Sequence, residues 1–362
     1  INSAPGGDAA DIINALDQLP DAASLADALD QLSPELFTLG TTLTGLNTGG
    51  FNAGMTGRLD SLRTASTNRT TEAGPALAAA PAADRPAGQG WSPWAKAFYT
   101  TAEQDTTDGF VGYSYDAMGA SVGIDKGVAD NLVLGVTVGM AASDSETEDK
   151  LGQLDVDTLS MGVYGSWTSG KLYVDGTLLA GMSSFDSRRL IPLLGSVATG
   201  DHDGFDYAAS VGGGYKVAMA GWNLIPTAGV QYAYHEEEGF VETGVGGLAV
   251  EKADTDSLQG KLGLRINRLF QVGDSLGLMP EVSAQWGHEF GDTEQEALAW
   301  FAGTNTGTFT VKGLDADRES FLMGLGLTAF VSDNIALSAS YEGMMKDELE
   351  AHTVLAGLRY MF

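Results

Sequence analysis

From residue 91 to the last residue, large apolar side chains alternate with small or polar ones in about twelve segments. A period of two puts successive side chains on opposite faces of a strand, so each segment reads as a strand with one apolar face. The segments are 91–101, 117–126, 132–142, 156–167, 172–185, 207–217, 224–234, 258–269, 278–290, 320–331, 335–345 and 354–362. In the third, Leu132, Leu134, Val136, Val138 and Met140 share one face, and Gly135, Thr137, Gly139 and Ala141 share the other. A soluble sandwich also alternates, with its large residues buried. The connections separate the two readings. Short ones (129–131, 169–170, 220–221, 273–274, 332–334) alternate with long, acidic ones (102–114, 143–153, 186–203, 236–254, 291–319, 346–352). Short turns at one end and long loops at the other is the arrangement of outer-membrane barrels. The expected fold is all-β, an antiparallel transmembrane β-barrel of about twelve strands.

Composition excludes some alternatives. The net charge of −29 leaves no basic stripe for nucleic acid. No apolar run reaches the ~18 residues of a transmembrane helix, which a barrel does not need. The chain has no cysteine, hence no disulfide. It begins at Ile1 without Met or a charged leader, and so reads as a mature fragment. In the closing segment, Val354, Leu358, Tyr360 and Phe362 fall on one face. That face is expected to meet outer-membrane lipid, with Tyr360 and Phe362 in the aromatic girdle.

The N-terminal quarter has a different character. Residues 1–50 read as polar and helical: Ile12, Ile13, Leu16 and Leu19 line one face before Pro20, and 24–32 is similar. Ser33-Pro34-Glu35 reads as a helix start. Residues 51–66 contain a short helix with an apolar stripe of Met55, Leu59 and Leu62 and with Arg58 and Arg63 mostly off it. Residues 67–90, rich in Ala, Pro, Gly and Thr, read as a linker, and 91–362 as the barrel.

An isolated helix so short is marginal in water. Many pore-facing positions are small, Gly212, Gly214 and Gly324 among them, which leaves room for a helix ~10–12 Å across. The stripe is expected to pack on these glycines. Strand parity also turns Arg265, Glu281, Glu289 and Glu342 towards the lumen, where a carboxylate is expected to pair with Arg58 or Arg63.

The ordered set ALDQLSPELF (28–37), RLDSLR (58–63), WAKAFY (94–99), SFLMGLGLTAFVSDNIALSASYEG (320–343) and VLAGLRYMF (354–362) resembles the autotransporter translocator domain of type V secretion. The resemblance implies a twelve-stranded barrel with an α-helix inside the pore. It implies the bacterial outer membrane as location, with the N-terminus towards the cell surface. The implied partners are the chain's own N-terminal passenger, the barrel assembly machinery and periplasmic chaperones, and the barrel is expected to be monomeric. Some relatives cut off the passenger at an Asn-Asn pair in the helix. Alignment on the RLDSLR-like end puts Ala53-Gly54 there, without the required side chain.

No catalytic or cofactor set emerges. Gly119-Ala-Ser-Val-Gly123 matches a nucleophile elbow but lies inside a strand. His202, His235, His288 and His352 lack metal-ligand spacing, and 201–204 lacks most of a calcium loop. The expected function is a non-enzymatic translocator and anchor without cofactor or metal. A barrel lipase or protease and a passive diffusion porin are the alternatives.

Overall fold

The computed structural model describes residues 8–67, 90–107, 109–273, 276–291, 293–303, 307–314, 316–332, 334–346 and 348–360, with backbone alone over 8–9 and 63–67. Almost all of the linker and residue Phe362 therefore lie outside the described residues. Three helices come first: α1 (Asp8–Leu16), α2 (Ala22–Asp30) and, after a 3-10 turn at Glu35–Thr38, α3 (Gly40–Thr67). The strands are β1 (Trp91–Gln104), β2 (Tyr113–Ala129), β3 (Leu132–Thr147), β4 (Gly152–Ser169), β5 (Leu172–Ile191) and β6 (Ser196–Tyr215). Then come β7 (Val217–Met219), β8 (Trp222–Glu237), β9 (Phe240–Val241), β10 (Leu248–Val250), β11 (Ala253–Asn267) and β12 (Phe270–Val272). The last six are β13 (Leu276–Glu289), β14 (Glu296–Phe301), β15 (Phe309–Lys312), β16 (Glu319–Phe330), β17 (Ile335–Lys346) and β18 (Leu349–Tyr360).

Twelve long strands close into an antiparallel barrel. The order β1-β2-β3-β4-β5-β6-β8-β11-β13-β16-β17-β18 returns to β1 through the pairing from Trp94↔Arg359 to Gln104↔Leu349. Closure leaves no unpaired edge on this ring. The faces follow the parity of the sequence. Val122, Val136, Val138, Leu178, Val211, Leu264 and Leu325 are exposed on the outside. Tyr99, Tyr207, Tyr232 and Tyr341 border this apolar band towards the long loops, and Trp91, Trp167, Trp222 and Tyr360 border it at the short turns. That is the band-and-girdle outer surface of a membrane barrel.

The sequence reading ended the strands too soon on the long-loop side. Segments 143–153 and 186–203 were expected to be loops, but β3–β4 stay paired as far as Glu146 and Gln153, and β5–β6 as far as Ile191 and Ser196. Past the band the outer face is polar, so the apolar alternation stops while the hydrogen-bond ladder continues. The extension aligns Asp116, Asp144, Asp155, Asp186 and Asp201 on adjacent strands, each directly opposite the next. Like charges in cross-strand register destabilise a sheet. Asp155 stands clear of the band, and its pKa is raised, first by burial and then by Asp144, Asp186 and Asp157. The folded state thus holds this proton more tightly than the unfolded chain. The contribution is most favourable below the ordinary aspartate range and is lost as pH rises through the raised value. Asp155→Asn is expected to stabilise the barrel at neutral pH by about 0.5 kcal/mol. Unfolding curves of the two proteins should converge as pH falls towards about 3.

Inside the closing strand's parity, Thr353 faces the lumen, its hydroxyl 2.9 Å from that of Thr100. Leu358 faces outward and is 49% exposed. Arginine on a lipid face costs ~2–4 kcal/mol at the midplane and less near the interface. Leu358→Arg should therefore lose about 2 kcal/mol. Thr353→Arg, opposite Glu342, should lose less. Heat-resistant migration of the folded barrel checks both, and equal losses would contradict the assigned faces.

At the long-loop end a second sheet, β9-β10-β14-β15, lies within the connections, with Leu248, Ala249, Val250, Ala297 and Ala299 buried. Ile12 of α1 and Leu32 pack with Ile191 and Ala198 of the β5–β6 hairpin. The mouth is thus capped by the N-terminal segment and the long connections together.

Candidate functional site

The helix α3 is a poor helix by propensity. Gly40, Gly45, Gly49, Gly50, Gly54 and Gly57 lie within it, and each glycine costs about 1 kcal/mol relative to alanine. It forms because the barrel surrounds it. The glycines bring wall side chains close: a methyl group at Gly50 would strike the Phe98 ring, and one at Gly57 the Lys96 ammonium. The sequence reading credited the wall with making room for the helix. The helix itself supplies part of that room, and it begins at Gly40, well before Phe51.

The helix runs the length of the pore, ~42 Å at 1.5 Å per residue. Its first residue, Gly40, abuts the Glu237 carboxylate near the long loops. Its other end meets residues at the short turns. There Arg58 Nε donates to Asp125 Oδ2 at 2.6 Å, while Nη2 donates to Asp125 Oδ1 and to Ser92 Oγ, each at 2.8 Å. The Arg58 and Asp125 side chains are 1% and 2% exposed. Asp125 also accepts from Tyr164 Oη at 2.9 Å, and Trp94 Nε1 donates to that hydroxyl at 2.5 Å. A bidentate, charge-assisted pair of this kind fixes orientation as well as position. One turn on, Arg359 Nη1 donates to the Ser61 carbonyl at 3.1 Å.

The partner of Arg58 is thus Asp125 of β2, and none of Glu281, Glu289 and Glu342. Parity could have found it, since Asp125 falls on the inward face with Ser121 and Gly123. Glu289 sits at a strand end, where it accepts from Ser257 and from the Leu258 and Gly291 amides. Glu281 accepts from Asn267 at 2.8 Å. Arg265 of the wall pairs with Asp60 of the helix, the reverse polarity of the expected pairing. Glu342 lies beside Gly324 on the far wall. The side chain of Arg63 lies outside the described residues.

The apolar stripe also has a different seat. Phe51, Met55 and Leu59, with Leu62 at the edge, cluster with Trp94, Phe98, Tyr164, Leu179 and Leu355. Phe51 meets Phe98 edge-on at 5.4 Å. Met55 lies against Gly162, and Phe51 against Gly139. Gly214 faces Tyr173, Gly324 faces Ser283, and Gly212 has only backbone near it, so none of the three carries the stripe. Alternation gives the face of each strand but not the direction in which the helix leans. The inward aromatic rings of β1 and β4 decide that.

Polar contacts complete the seal. Asn47, fully buried, accepts from Tyr115 Oη at 2.9 Å and donates to Ser143 Oγ at 3.1 Å. Asn52 accepts from Thr177 at 3.2 Å and donates to Gln231 at 3.4 Å. Near the start of α3 the fold joins residues that looked scattered in sequence. His235 touches Asp206 at 2.5 Å and Glu237 at 2.9 Å, and His202 touches Glu237 at 3.1 Å. The His202 ring is stacked between Phe185 and Phe240. An imidazole with a carboxylate at each nitrogen donates to both, so this cluster is a structural tie between β6 and β8. Among the described residues, no group of three or more His, Asp or Glu side chains, this cluster included, is arranged to hold a metal ion.

A family model described as autotransporter beta-domain matches residues 93–342. The chain is 25% identical over 275 residues to an extracellular serine protease of Serratia marcescens, covering 74% of this chain and 26% of that protein. It is 26% identical over 308 residues to outer membrane protein B of Rickettsia prowazekii, covering 81% and 18%. It therefore spans about a quarter or less of these relatives. Among solved structures, the translocator domain of autotransporter NalP from Neisseria meningitidis has a similar fold, with a TM-score of 0.62 at 18% identity over 87% of this chain and 98% of that one. The beta domain of the Bordetella autotransporter BrkA gives a TM-score of 0.58 at 22% identity over 75% and 100%.

Proposed function

Because this chain belongs to the autotransporter beta-domain family, we propose that it carries an N-terminal passenger across the bacterial outer membrane and then holds it there. The observation that carries this reading is α3, which runs through the pore with one face buried from Gly40 to Leu59 and is tied to the wall through Arg58 and Asp125. The helix is the last stretch of the passenger's route, left in place when export ends. The end of α3 and the start of β1 then both lie at the periplasmic mouth, and the segment before α3 stands at the cell surface. The proposed division is a cap before Gly40, a pore helix from Gly40 to Thr67, a linker, and the barrel from Trp91.

The barrel acts as a monomer in outer-membrane lipid, inserted by the assembly machinery and chaperones that serve this family. It works without catalysis, and the protease activity named for the Serratia relative is that protein's own. A porin would need an open lumen, which the buried helix argues against. The absence of cysteine allows a background-free test of orientation. An impermeant maleimide applied to intact cells is expected to label Ile13→Cys and to spare Lys171→Cys until the outer membrane is permeabilised. The opposite pattern would overturn the orientation.

A further inference from the structure

A cavity of about 140 Å³ opens at the long-loop mouth, between the segment from Asp30 to Thr42 and the barrel rim. A cavity near 150 Å³ takes a group the size of benzene, so this one suits a single side chain rather than a folded surface. Leu36, Phe110 and Leu349 give it an apolar floor. Its rim is acidic: Asp30, Glu35, Asp105, Asp149, Asp317 and Glu348 line it against two cations, Lys346 and Arg189. Arg189 is already engaged, with its guanidinium 2.6 Å from Glu242. The rim therefore carries a large excess of negative charge above an apolar pocket.

Glu35 reaches into this space with its carboxylate held by the Val111 amide at 2.8 Å. Burial raises its pKa against that hydrogen bond, with Asp30 and Asp149 adding to the rise. Its charged neighbours Asp30 and Asp149 repel it, and a cation beside it would offset that repulsion. A lysine or arginine side chain has the matching shape, an aliphatic stem for the floor and a charged head for the rim.

We propose that this cavity is a receptor site for one basic side chain, lysine or arginine, presented by a polypeptide at the long-loop mouth. Glu35 of the N-terminal segment and Asp317 of the β15–β16 connection both line the cavity, so an occupant would lie at the seam between them. Binding would therefore fasten the cap to the barrel rim.

The test uses the full chain folded in detergent micelles and saturation-transfer NMR with three acetylated tripeptides. Gly-Lys-Gly carries the cation, Gly-norleucine-Gly carries the same stem without charge, and Gly-Glu-Gly reverses the charge. In the double variant Glu35→Gln/Asp317→Asn, the amide oxygens can still accept from Val111 and Glu319, as the carboxylates do. Heat-resistant migration first confirms that the variant is folded. Saturable binding of the lysine peptide is expected, with both control peptides at least about ten-fold weaker. The double variant should weaken the lysine peptide by a similar factor. Equal binding of the lysine and norleucine peptides would overturn the proposal. So would lysine binding that does not saturate, or that the double variant leaves unchanged.

Discussion

Removing residues 1–67 is expected to turn a nearly closed barrel into a steady open channel. Eight strands are filled by their own side chains, whereas sixteen or more enclose a water-filled pore. Twelve strands fall between, and here the lumen is filled by α3 with its apolar stripe on Trp94, Phe98 and Tyr164. The strand ladder does not depend on the helix, because every long strand pairs with a neighbour on each side. Single-channel recordings in planar bilayers should show a large rise in conductance for the truncated chain, with its strand content by circular dichroism unchanged. Unchanged conductance would mean that the pore is sealed by something else.

Arg58→Leu is expected to have the largest effect of any single substitution in the pore. It leaves the Asp125 carboxylate buried with Tyr164 as its remaining hydrogen-bond donor. Removing one partner of a buried ion pair typically costs about 3–5 kcal/mol, most of it the cost of the orphaned charge. The double variant Arg58→Leu/Asp125→Leu should recover part of that loss, since the pair is removed together, while buried Arg359 loses the Asp125 charge beside it. Thermal unfolding in detergent, with protease sensitivity of residues 40–67 as a second readout, distinguishes release of the helix from loss of the barrel. If the double variant is as unstable as the single one, the pair does not act as a unit.

Much of this architecture is legible in the sequence because a membrane barrel has two solvents. Lipid outside and a packed lumen inside impose strict alternation, and that is enough to orient Leu134, Val136 and Val138 outward and Gly135 and Gly139 inward. Above the lipid band the outer face meets water and carries Asp144, Asp155, Asp186 and Asp201, while the buried inner face includes Ser143, Ser145, Ser187 and Arg189, so the upper ends of β3 to β6 looked like acidic loops. The length of α3 was hidden by its glycines, which lower helix propensity and find their reason only in the wall residues that fill their space. The seat of the stripe and the pairing of Arg58 with Asp125 depend on the rotation of the helix in the pore, a quantity with no periodic trace in the strands. The meeting of His202 with His235 depends on the register of β6 and β8, which no local pattern encodes. The same holds for the small sheet over the mouth, whose strands are only two to six residues long.

The central claim, that α3 occupies the pore in one register against β1 to β5, is tested most directly by a disulfide. A Cβ added at Gly54 would lie 3.3 Å from Ser121 Oγ, close to the separation of a Cβ from the far sulfur of a disulfide. The chain has no other cysteine. Gly54→Cys/Ser121→Cys is expected to cross-link under mild oxidation in the folded barrel, whereas Gly54→Cys/Gly324→Cys stays reduced. Cross-linking of the second pair with no reaction of the first would contradict the account.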